Sequence, residues 1–443
     1  MNTETAYSFT PSLQVKALRS GASAAMGVHD FLWLTCSTGQ ESSVMDECVT
    51  LLRVDRASVR REKGKVVVSP FPIFLTENPS VLWRFRGVEN VLFGVCESAQ
   101  EKFLSSSEAV AVQAIRDAVA DVPRETWMKA LTQWKQTPVD GTAAAALNVI
   151  ADSMPAYYVT KKRGGEGHSF DSTTLGRTVW DGMRLQVPSW IATIGRDHTI
   201  DLEVHSHLHE KQLFVGVRLH KGSHWKRSGV LASNRIHVST PLKPNICAGM
   251  LSEMTIFSGN IFMDPMAGCG TLAEVAAETN KHRIFCIAGD LERGNVAKIA
   301  HNRGLAVHTD AMIDVILWDS SNLPLRDACI DAVASDLPFG KRCGSKANNH
   351  RLYPRFCLEM ARVLVDNGKC TLLSADRRTL PRSVEMAAGA RGCFFKKQRT
   401  FSVNVGGLDA TTMVLKKEYY DDARATEMQK KWDAKESKKR KRE

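Results

Sequence analysis

The most constraining feature of this sequence is a glycine-rich turn between an apolar strand and a helix. Residues 261–271 read I-F-M-D-P-M-A-G-C-G-T, and the residues after Thr271 have a helical apolar pattern. Glycine permits the tight turn, and the first turn of the helix offers free backbone N–H groups. The strand–turn–helix unit therefore predicts a ligand site at the carboxyl end of a sheet strand.

Strand and helix patterns alternate along the second half of the chain. Strands are predicted at 261–263, 284–288, 315–318, 330–334, 370–373 and 413–415, and helices at 272–278, 295–302 and 356–365. Such alternation is typical of an α/β fold with a parallel, doubly wound, Rossmann-like sheet, whose ligands bind across the carboxyl ends of the strands.

The first half has a mixed α+β pattern instead. Strands are predicted at 31–36, 66–68, 81–85, 91–95 and 157–160, helices at 41–52, 108–119 and 170–185, a hairpin at 201–219 and a basic loop at 161–165. A chain of 443 residues is also too long for one ordinary core. The predicted segments are a disordered N-terminus (1–27), α+β parts (28–155 and 156–235), the α/β domain (236–418) and a basic, disordered tail (419–443).

The glycine-rich turn carries the candidate cofactor residues. Gly268 and Gly270 would let the backbone approach a ligand, and Asp290, about 20 residues further on, can hold ribose hydroxyls. The same spacing fits a dinucleotide-binding fingerprint, so a nicotinamide enzyme is an alternative. Asp264 argues against it, because a carboxylate there would repel a pyrophosphate but suits the cationic methionine end of S-adenosylmethionine. The neighbouring Pro265 belongs to the same candidate set.

Asp319, which follows the predicted strand 315–318, is the candidate partner for the adenine amino group of that cofactor. The alternative for Asp319 is a cap on the turn at the strand end.

The tetrapeptide D-L-P-F at the end of the fourth predicted strand suits amine methylation. The carboxylate of Asp336 and the backbone carbonyl of Leu337 can accept the hydrogens of an exocyclic base amine. Pro338 would hold that carbonyl in place, and Phe339 offers a face for a flipped base. Methyl transfer from a sulfonium to nitrogen then depends mostly on positioning and charge placement.

Composition and charge restrict the class of protein. The net charge is +11, and eight Lys or Arg against three acids fall in residues 430–443, which indicates a solvated tail, a nuclear signal or an RNA-grasping arm. Two basic pairs are candidate contacts to substrate RNA: Lys226 with Arg227, and Lys341 with Arg342. No apolar run is long enough for a membrane span, and eleven scattered cysteines without a C-x-x-C pair indicate a reducing, intracellular compartment and no zinc ribbon.

Three histidines alternate along one predicted strand and would share a face. His205, His207 and His209 could bind a metal, but the acids around them favour a solvent-facing hairpin edge. No metal site is therefore expected.

These residues resemble the THUMP-domain guanosine-N2 methyltransferases of transfer RNA, the eukaryotic members in particular. The resemblance covers roughly residues 170–416, and its motifs are D-P-M-A-G-C-G (264–270), W-D-S-S-N-L-P-L-R (318–326), D-L-P-F-G-K-R-C-G-S-K (336–346), L-Y-P (352–354) and V-N-V-G-G-L (403–408). Ala267 and Cys269 depart from the family's cofactor motif at variable positions.

The resemblance implies a division of labour between the segments. A ferredoxin-like part (28–155) and a THUMP domain (156–235) would hold the acceptor stem and 3′ end of a tRNA. The class I methyltransferase domain would then methylate the exocyclic N2 of a guanosine with S-adenosylmethionine. The resemblance also implies a small zinc-ribbon activator protein as partner, paired along a sheet edge, and a location in the cytoplasm, the nucleus or both.

Three alternatives stay open from the sequence. A sister branch of the family acts on a spliceosomal small nuclear RNA. A non-catalytic RNA-binding scaffold is disfavoured, because a scaffold has no physical need for Asp336. An adenine or DNA methyltransferase would use the same amine chemistry, but the THUMP-like segment disfavours it.

Overall fold

Within the residues that the structure describes, the chain forms two sheets, one from each half. The structure, a computed structural model, describes residues 28–137, 155–193, 202–219, 225, 228–280, 283–305, 312–340, 346–389 and 393–419. The termini predicted to be disordered (1–27 and 419–443) lie outside the described residues, except for Tyr419, which ends a strand. None of the helices within these ranges is long and apolar enough to cross a membrane.

The first half forms a mixed sheet covered by helices. Its strands are β1 Phe31–Cys36, β2 Val59–Glu62, β3 Lys65–Val68, β4 Val88–Ala99, β5 Ala156–Gly164, β6 Ile191–Ala192, β7 Leu202–His209 and β8 Gln212–Arg218. Its helices are α1 Glu41–Leu52, α2 Ile73–Glu77, α3 Glu108–Ala120, α4 Arg124–Gln136 and α5 Ser172–Gln186. The strand order is β2-β3-β1-β4-β8-β7-β5-β6, so strands on both sides of residue 155 share one sheet. The division of this half into ferredoxin-like and THUMP parts remains a prediction.

The second half forms the doubly wound sheet. Its strands are β9 Ile261–Asp264, β10 Phe285–Asp290, β11 Ile313–Leu317, β12 Ile330–Asp336, β13 Leu364–Ser374, β14 Cys393–Val405 and β15 Leu408–Tyr419. Its helices are α6 Pro244–Ser252, α7 Thr271–Thr279, α8 Arg293–Arg303, α9 Lys346–Val363 and α10 Thr379–Gly389.

The order of these strands is β11-β10-β9-β12-β13-β15-β14, with β9 to β13 parallel and β15 antiparallel to both neighbours. The chain leaves β9 towards β10 and β11, and later returns to add β12 on the other side. The switch point of the sheet therefore lies between β9 and β12, where ligands bind in open α/β sheets. The prediction of a Rossmann-like α/β fold is confirmed.

Two local predictions for the first half are wrong. Residues 81–85 are not a strand, because Pro79–Arg84 form a 3₁₀ helix whose apolar residues are buried in succession. Proline fixes the backbone for a helical turn and lacks the N–H of a sheet ladder. Residues 161–165 are not a loop: β5 extends to Gly164 and pairs with β7 throughout. The structure also adds α4, which has its buried residues at helical spacing and was not predicted.

The alternating histidines do not lie on a solvent-facing edge. Their strand β7 is an interior strand, paired with β5 and β8. His205 is buried, whereas His209 is exposed. Burial lowers the pKa of His207 to about 3, so its ring stays neutral. Among the described residues, no group of three or more His, Cys, Asp and Glu is placed to hold a metal ion.

A short loop after β1 docks the first half onto the second. The buried side chain of Gln40 donates from Nε2 to the carbonyl of Ile246 at 2.9 Å. Asn245 donates from Nδ2 to Ser37 Oγ at 3.2 Å, and Asn404 donates its backbone N–H to Thr38 O at 3.3 Å. The two sheets are thus joined by hydrogen bonds to α6 and β14, which fixes the first half relative to the second sheet.

Gly39 gives a direct test of this docking. It has a φ of +97°, and a Cβ built on it would lie 1.6 Å from the carbonyl oxygen of Ser402. We expect Gly39→Ala to lower the free energy of unfolding by at least about 2 kcal/mol more than the matched control Gly259→Ala. Gly259 has a φ of +87° with nothing within 4 Å of its added Cβ, so its substitution should cost only the ~1 kcal/mol of backbone strain. Urea unfolding measures both, and equal costs would contradict the close contact.

Candidate active site

The carboxyl ends of β9 and β12 open into the cavity that contains the predicted chemistry. These strands pair in parallel, with Phe262 opposite Ala332 and Met263 opposite Val333. Each ends at a carboxylate, and both carboxylates line a cavity of about 1070 Å³. The predicted catalytic and cofactor residues that line the cavity are Asp264, Pro265, Gly268, Asp290, Asp319, Asp336, Leu337, Pro338 and Phe339.

The glycine turn is held from behind by a carboxylate. Gly268 and Gly270 have φ angles of +57° and +87°, a backbone region that favours glycine. Asp290 accepts the N–H of Gly268 on Oδ2 at 2.9 Å, and on Oδ1 it accepts from Glu292 N at 3.0 Å and Asn295 Nδ2 at 3.2 Å. Asp290 therefore joins the turn to the start of α8, and its predicted role as a ribose ligand stays a prediction.

Gly270 packs closely against α8, and its predicted contact with a cofactor stays a prediction. It does not line the cavity, and a Cβ built on it would lie 3.0 Å from Cγ2 of Ile299 on α8. Glycine at this position lets the turn and the two helices approach closely, which is a role that the fingerprint also assigns to glycine.

Asp264 is almost completely buried, at 3% exposure. Its Oδ1 accepts a hydrogen bond from Ser335 Oγ at 2.9 Å and from the N–H of Met266 at 3.2 Å. Burial raises the pKa of this carboxyl to about 7, against the opposing effect of these two donors. A cation placed beside it would favour the ionised form.

Asp336 lies beside Asp264 and has an oxygen without a partner. Its Oδ1 is buried and makes no hydrogen bond in the structure. Burial, and secondarily the charge of Asp264, raise the pKa of Asp336 to about 8. A carboxylate that takes up a proton near neutral pH suits general-base chemistry.

The residues after Asp336 are positioned by the neighbouring strand and helix. Leu337 donates its N–H to Leu373 O on β13 at 2.9 Å. The carbonyl of Pro338 accepts from Tyr353 Oη at 2.6 Å and from Asn349 Nδ2 at 2.8 Å. Phe339 packs partly buried against the core and lines the cavity, where its ring can face a planar ligand.

Asp319 caps a turn, as one of its two predicted roles requires, and its predicted contact with adenine stays a prediction. It lines the cavity, and its Oδ1 also caps a turn by accepting from the N–H and Oγ of Ser321, each at 2.8 Å. The preceding Trp318 donates from Nε1 to the carbonyl of Pro265 at 3.1 Å, which holds the backbone directly after β9.

The cavity fits S-adenosylmethionine on two grounds. Its volume of about 1070 Å³ exceeds the ~300–1,000 Å³ of small-molecule pockets, so a cofactor and a base can lie in it together. Its lining includes the buried carboxyl group of Asp264, which would stabilise a sulfonium but oppose a pyrophosphate. The carboxyl group at this position thus favours S-adenosylmethionine over a nicotinamide dinucleotide.

The four predicted RNA contacts, Lys226, Arg227, Lys341 and Arg342, lie outside the described residues. Other residues of the site were not predicted: Arg235, Asn302, Ser335, Asn349 and Tyr353. Only Tyr353 had a signal in the sequence, as the middle residue of L-Y-P, and no role was assigned to it. The others act through hydrogen bonds across long sequence separations, which a local pattern does not reveal.

A buried ion pair supports the glycine turn, and its arginine lies in the segment that joins the two halves of the chain. Arg235, whose side chain is fully buried, donates from Nη1 to Glu274 Oε2 of α7. It also donates from Nη2 to the carbonyl of Cys269 at 3.1 Å, and Asn302 Nδ2 donates to the same carbonyl at 2.9 Å. The middle residue of the turn is therefore held by two side chains.

We expect Arg235→Met to lower the free energy of unfolding by about 3–5 kcal/mol, because it leaves Glu274 buried without a cation. The double variant Arg235→Met/Glu274→Leu should recover much of that loss, since it removes both charges. Urea unfolding of the two variants measures the difference, and a double variant as unstable as the single one would show that packing matters more than charge.

The comparisons with known proteins agree with this geometry. Residues 234–410 match the family described as RMKL-like, methyltransferase domain. The solved structure of TrmN from Thermus thermophilus covers 88% of this chain and 100% of its own, with a TM-score of 0.63 and 19% identity. At that identity the likeness shows the fold alone, and it extends over both sheets.

Two curated relatives confirm the resemblance stated from the motifs. The chain is 32% identical over 273 residues to a tRNA (guanine(6)-N(2))-methyltransferase THUMP3 of Bos taurus, covering 59% of this chain and 51% of the relative. It is 28% identical over 176 residues to a U6 snRNA (guanine-N(2))-methyltransferase THUMPD2 of Mus musculus, covering 40% of this chain and 31% of that protein. The chain spans about half the length of the first relative and about a third of the length of the second. Within this chain, residues 234–410 are thus similar to the RMKL-like methyltransferase domain family.

Proposed function

We propose that the protein is an S-adenosylmethionine-dependent RNA methyltransferase that forms N2-methylguanosine in the acceptor-stem region of a tRNA. The observation that carries the proposal is the buried, unpartnered Oδ1 of Asp336 beside Asp264, at the switch point of the sheet. An acceptor of this kind suits an exocyclic amine. The relative named as a tRNA guanine-N2 methyltransferase supports guanosine as the base.

Bound S-adenosylmethionine supplies the methyl group. The residues that would hold it are Asp264, Gly268, Asp290 and Asp319, which line one side of the cavity. Asp264 would face the cationic methionine end. Asp290 would receive the ribose, because Oδ2 keeps one free lone pair after accepting from Gly268.

The protein's own residues prepare the amine for attack. Asp336 and the carbonyl of Leu337 accept the two amine hydrogens and draw the nitrogen lone pair out of conjugation with the ring. Phe339 stacks on the extruded base, which keeps the amine aligned with the methyl group. Asp336 then takes up the proton that the methylated nitrogen loses, and its raised pKa suits this step.

The first half of the chain supplies the RNA surface in this proposal. Four basic residues remain our candidates for contacts to RNA phosphates: Lys226, Arg227, Lys341 and Arg342. A further basic group supports the assignment, since the side chains of residues 161–163 (Lys-Lys-Arg) are exposed at the end of β5. The basic segment 438–442 is consistent with an additional RNA contact or a nuclear location, and we place the protein in the cytoplasm, the nucleus or both.

A zinc-ribbon activator protein completes the proposal as a partner in a heterodimer. Such a partner needs a free sheet edge, and β11 forms one end of the second sheet. Its flanking apolar side chains are exposed, with Met312 at 56% and Leu317 at 46%. An exposed apolar edge strand is suited to pairing with another chain.

A small nuclear RNA is the second candidate substrate, supported by the relative that acts on U6 snRNA. A non-catalytic scaffold is disfavoured by the retained carboxyl pair. The test is methyl transfer from labelled S-adenosylmethionine into tRNA or U6 snRNA, with and without the activator, followed by nucleoside mass spectrometry. Label in N2-methylguanosine supports the proposal, and the RNA that receives it decides between the substrates. Label in an adenine nucleoside, or in neither RNA, would overturn it.

We expect Asp336→Asn to lower kcat by about 10²-fold or more, because the amide keeps the shape but cannot accept the proton. The affinity for S-adenosylmethionine, measured by calorimetry, should stay close to that of the wild type. Asp366→Asn, which changes an exposed carboxylate outside the cavity lining, is the matched control and should leave kcat unchanged. A fully active Asp336→Asn enzyme would remove this carboxylate from the mechanism.

We expect kcat/KM to rise with pH as Asp336 loses its proton, with a midpoint at about 8 in the free enzyme. The stability should change in the opposite direction. A carboxyl with a raised pKa in the folded state contributes stability below its unfolded pKa, and this contribution is lost as the pH rises through about 8.

A pH–rate profile and urea unfolding at pH 6 and pH 9 measure these two effects. Asp264, whose pKa is also raised, titrates in the same range, so the profile belongs to the pair. A flat profile between pH 6 and 9 would contradict the role of the pair.

A further inference from the structure

A second buried acceptor lines the cavity, and the proposed mechanism does not use it. Asn349 lies in the first turns of α9, four residues before Tyr353 and on the same face. Its side chain is fully buried, at 0% exposure, and it lines the same cavity as Asp336. Its Oδ1 has no hydrogen-bond partner in the structure.

The orientation of this amide is determined by its other end. Asn349 Nδ2 donates to the carbonyl of Pro338 at 2.8 Å and to Tyr353 Oη at 3.3 Å. Burial raises the pKa of the Tyr353 phenol, which therefore stays protonated and donates to the same carbonyl at 2.6 Å. A flipped amide would set Oδ1 against the Pro338 carbonyl, where two acceptors repel each other. The amide oxygen must therefore lie on the side away from Pro338.

Two buried acceptors without partners in one cavity indicate the chemistry of the ligand that the cavity would bind. Among the described residues that line the cavity, the side-chain oxygens that are buried and have no hydrogen-bond partner are Asp336 Oδ1 and Asn349 Oδ1. Leaving a buried acceptor unpaired costs free energy, so a site that retains two of them is matched to a ligand with two donors.

Guanine has such an edge, with N1–H next to the N2 amine. We propose that Asn349 is a specificity-determining residue whose Oδ1 accepts the N1–H of the target guanine while Asp336 accepts a hydrogen of its N2 amine. This assignment rests on the proposed function and adds to it the group that selects the base.

The same pair of acceptors rejects the other amine-bearing bases. Adenine presents its N1 lone pair beside the N6 amine, and cytosine presents its N3 lone pair beside the N4 amine. Either lone pair would face Asn349 Oδ1. The ring nitrogen and the amide oxygen would then both lack a hydrogen-bond donor, and they would repel each other. Sites built to hydrogen-bond one substrate group reject analogues that lack it far more strongly than apolar pockets do.

2-Aminopurine separates base reading from methyl transfer. It keeps the exocyclic amine at C2, but its N1 is a bare acceptor. The experiment compares kcat/KM for RNA with guanine or 2-aminopurine at the methylated position, using the wild type, Asn349→Leu and Tyr353→Phe. Asn349→Leu removes the acceptor at similar volume. Tyr353→Phe removes the hydrogen bond to Pro338 O and the longer one from Asn349 Nδ2, and it leaves the 2.8 Å bond from Asn349 Nδ2 to Pro338 O that orients Oδ1.

We expect the wild type to prefer guanine over 2-aminopurine by about 10-fold or more. In Asn349→Leu this ratio should fall to within about 3-fold of unity, whatever happens to the absolute rate, since hydrogen bonds of this kind carry the discrimination. Tyr353→Phe should lower kcat for both bases and keep the ratio of the wild type, because Asn349 Nδ2 still donates to Pro338 O and keeps Oδ1 oriented.

Each result supports the assignment or overturns it. A wild-type enzyme that methylates guanine and 2-aminopurine equally well overturns it, and this measurement needs no variant to fold. A ratio unchanged in Asn349→Leu, or reduced equally in Tyr353→Phe, also overturns it and leaves the proposed function intact. A wild type that places no label on guanine N2 refutes the proposed function itself, and the assignment with it.

Discussion

The site depends on two carboxyl groups, Asp264 and Asp336, held at the ends of neighbouring parallel strands. Burial raises the pKa of both, and the charge of Asp264 raises the pKa of Asp336 further. Such a pair is costly for the fold unless a proton, a cation or a hydrogen-bond donor is present. The hydrogen bond from Ser335 to Asp264 stabilises only one member. The unsatisfied oxygen of Asp336 is therefore the point at which a ligand with an amine gains most.

The residues around this pair hold the backbone of the ligand-facing loops. Asp290, at the end of β10, accepts the N–H of Gly268, and Arg235, which precedes α6 in the chain, donates to the carbonyl of Cys269. Tyr353 and Asn349 hold the carbonyl of Pro338 on the other side of the cavity. Both ligand-facing loops are thus positioned before any ligand binds, which is how positioning and electrostatic effects contribute to a rate.

The second sheet was predicted well because its strands are buried on both faces and its helices alternate with them. Continuous apolar runs such as those of β10 and β12 are recognisable without any knowledge of their neighbours. The first half was predicted less well. Its 3₁₀ helix Pro79–Arg84 has three apolar residues in succession, which resemble a strand, and its histidine strand is interior because of strands that come from elsewhere in the chain.

The sequence by itself determined the chemical groups at the strand ends: Asp264 and the glycine turn, Asp290, Asp319 and the Asp336–Phe339 tetrapeptide. Parallel strands with helical connections bring their carboxyl ends to one edge, so the order of motifs predicts their meeting. Only the tertiary structure decided which polar atoms stay free there. Asn349 and Tyr353 meet Pro338 across 11 and 15 residues, and Arg235 meets Cys269 across 34. Whether an oxygen is satisfied depends on every partner within about 3 Å, and those partners come from distant parts of the chain.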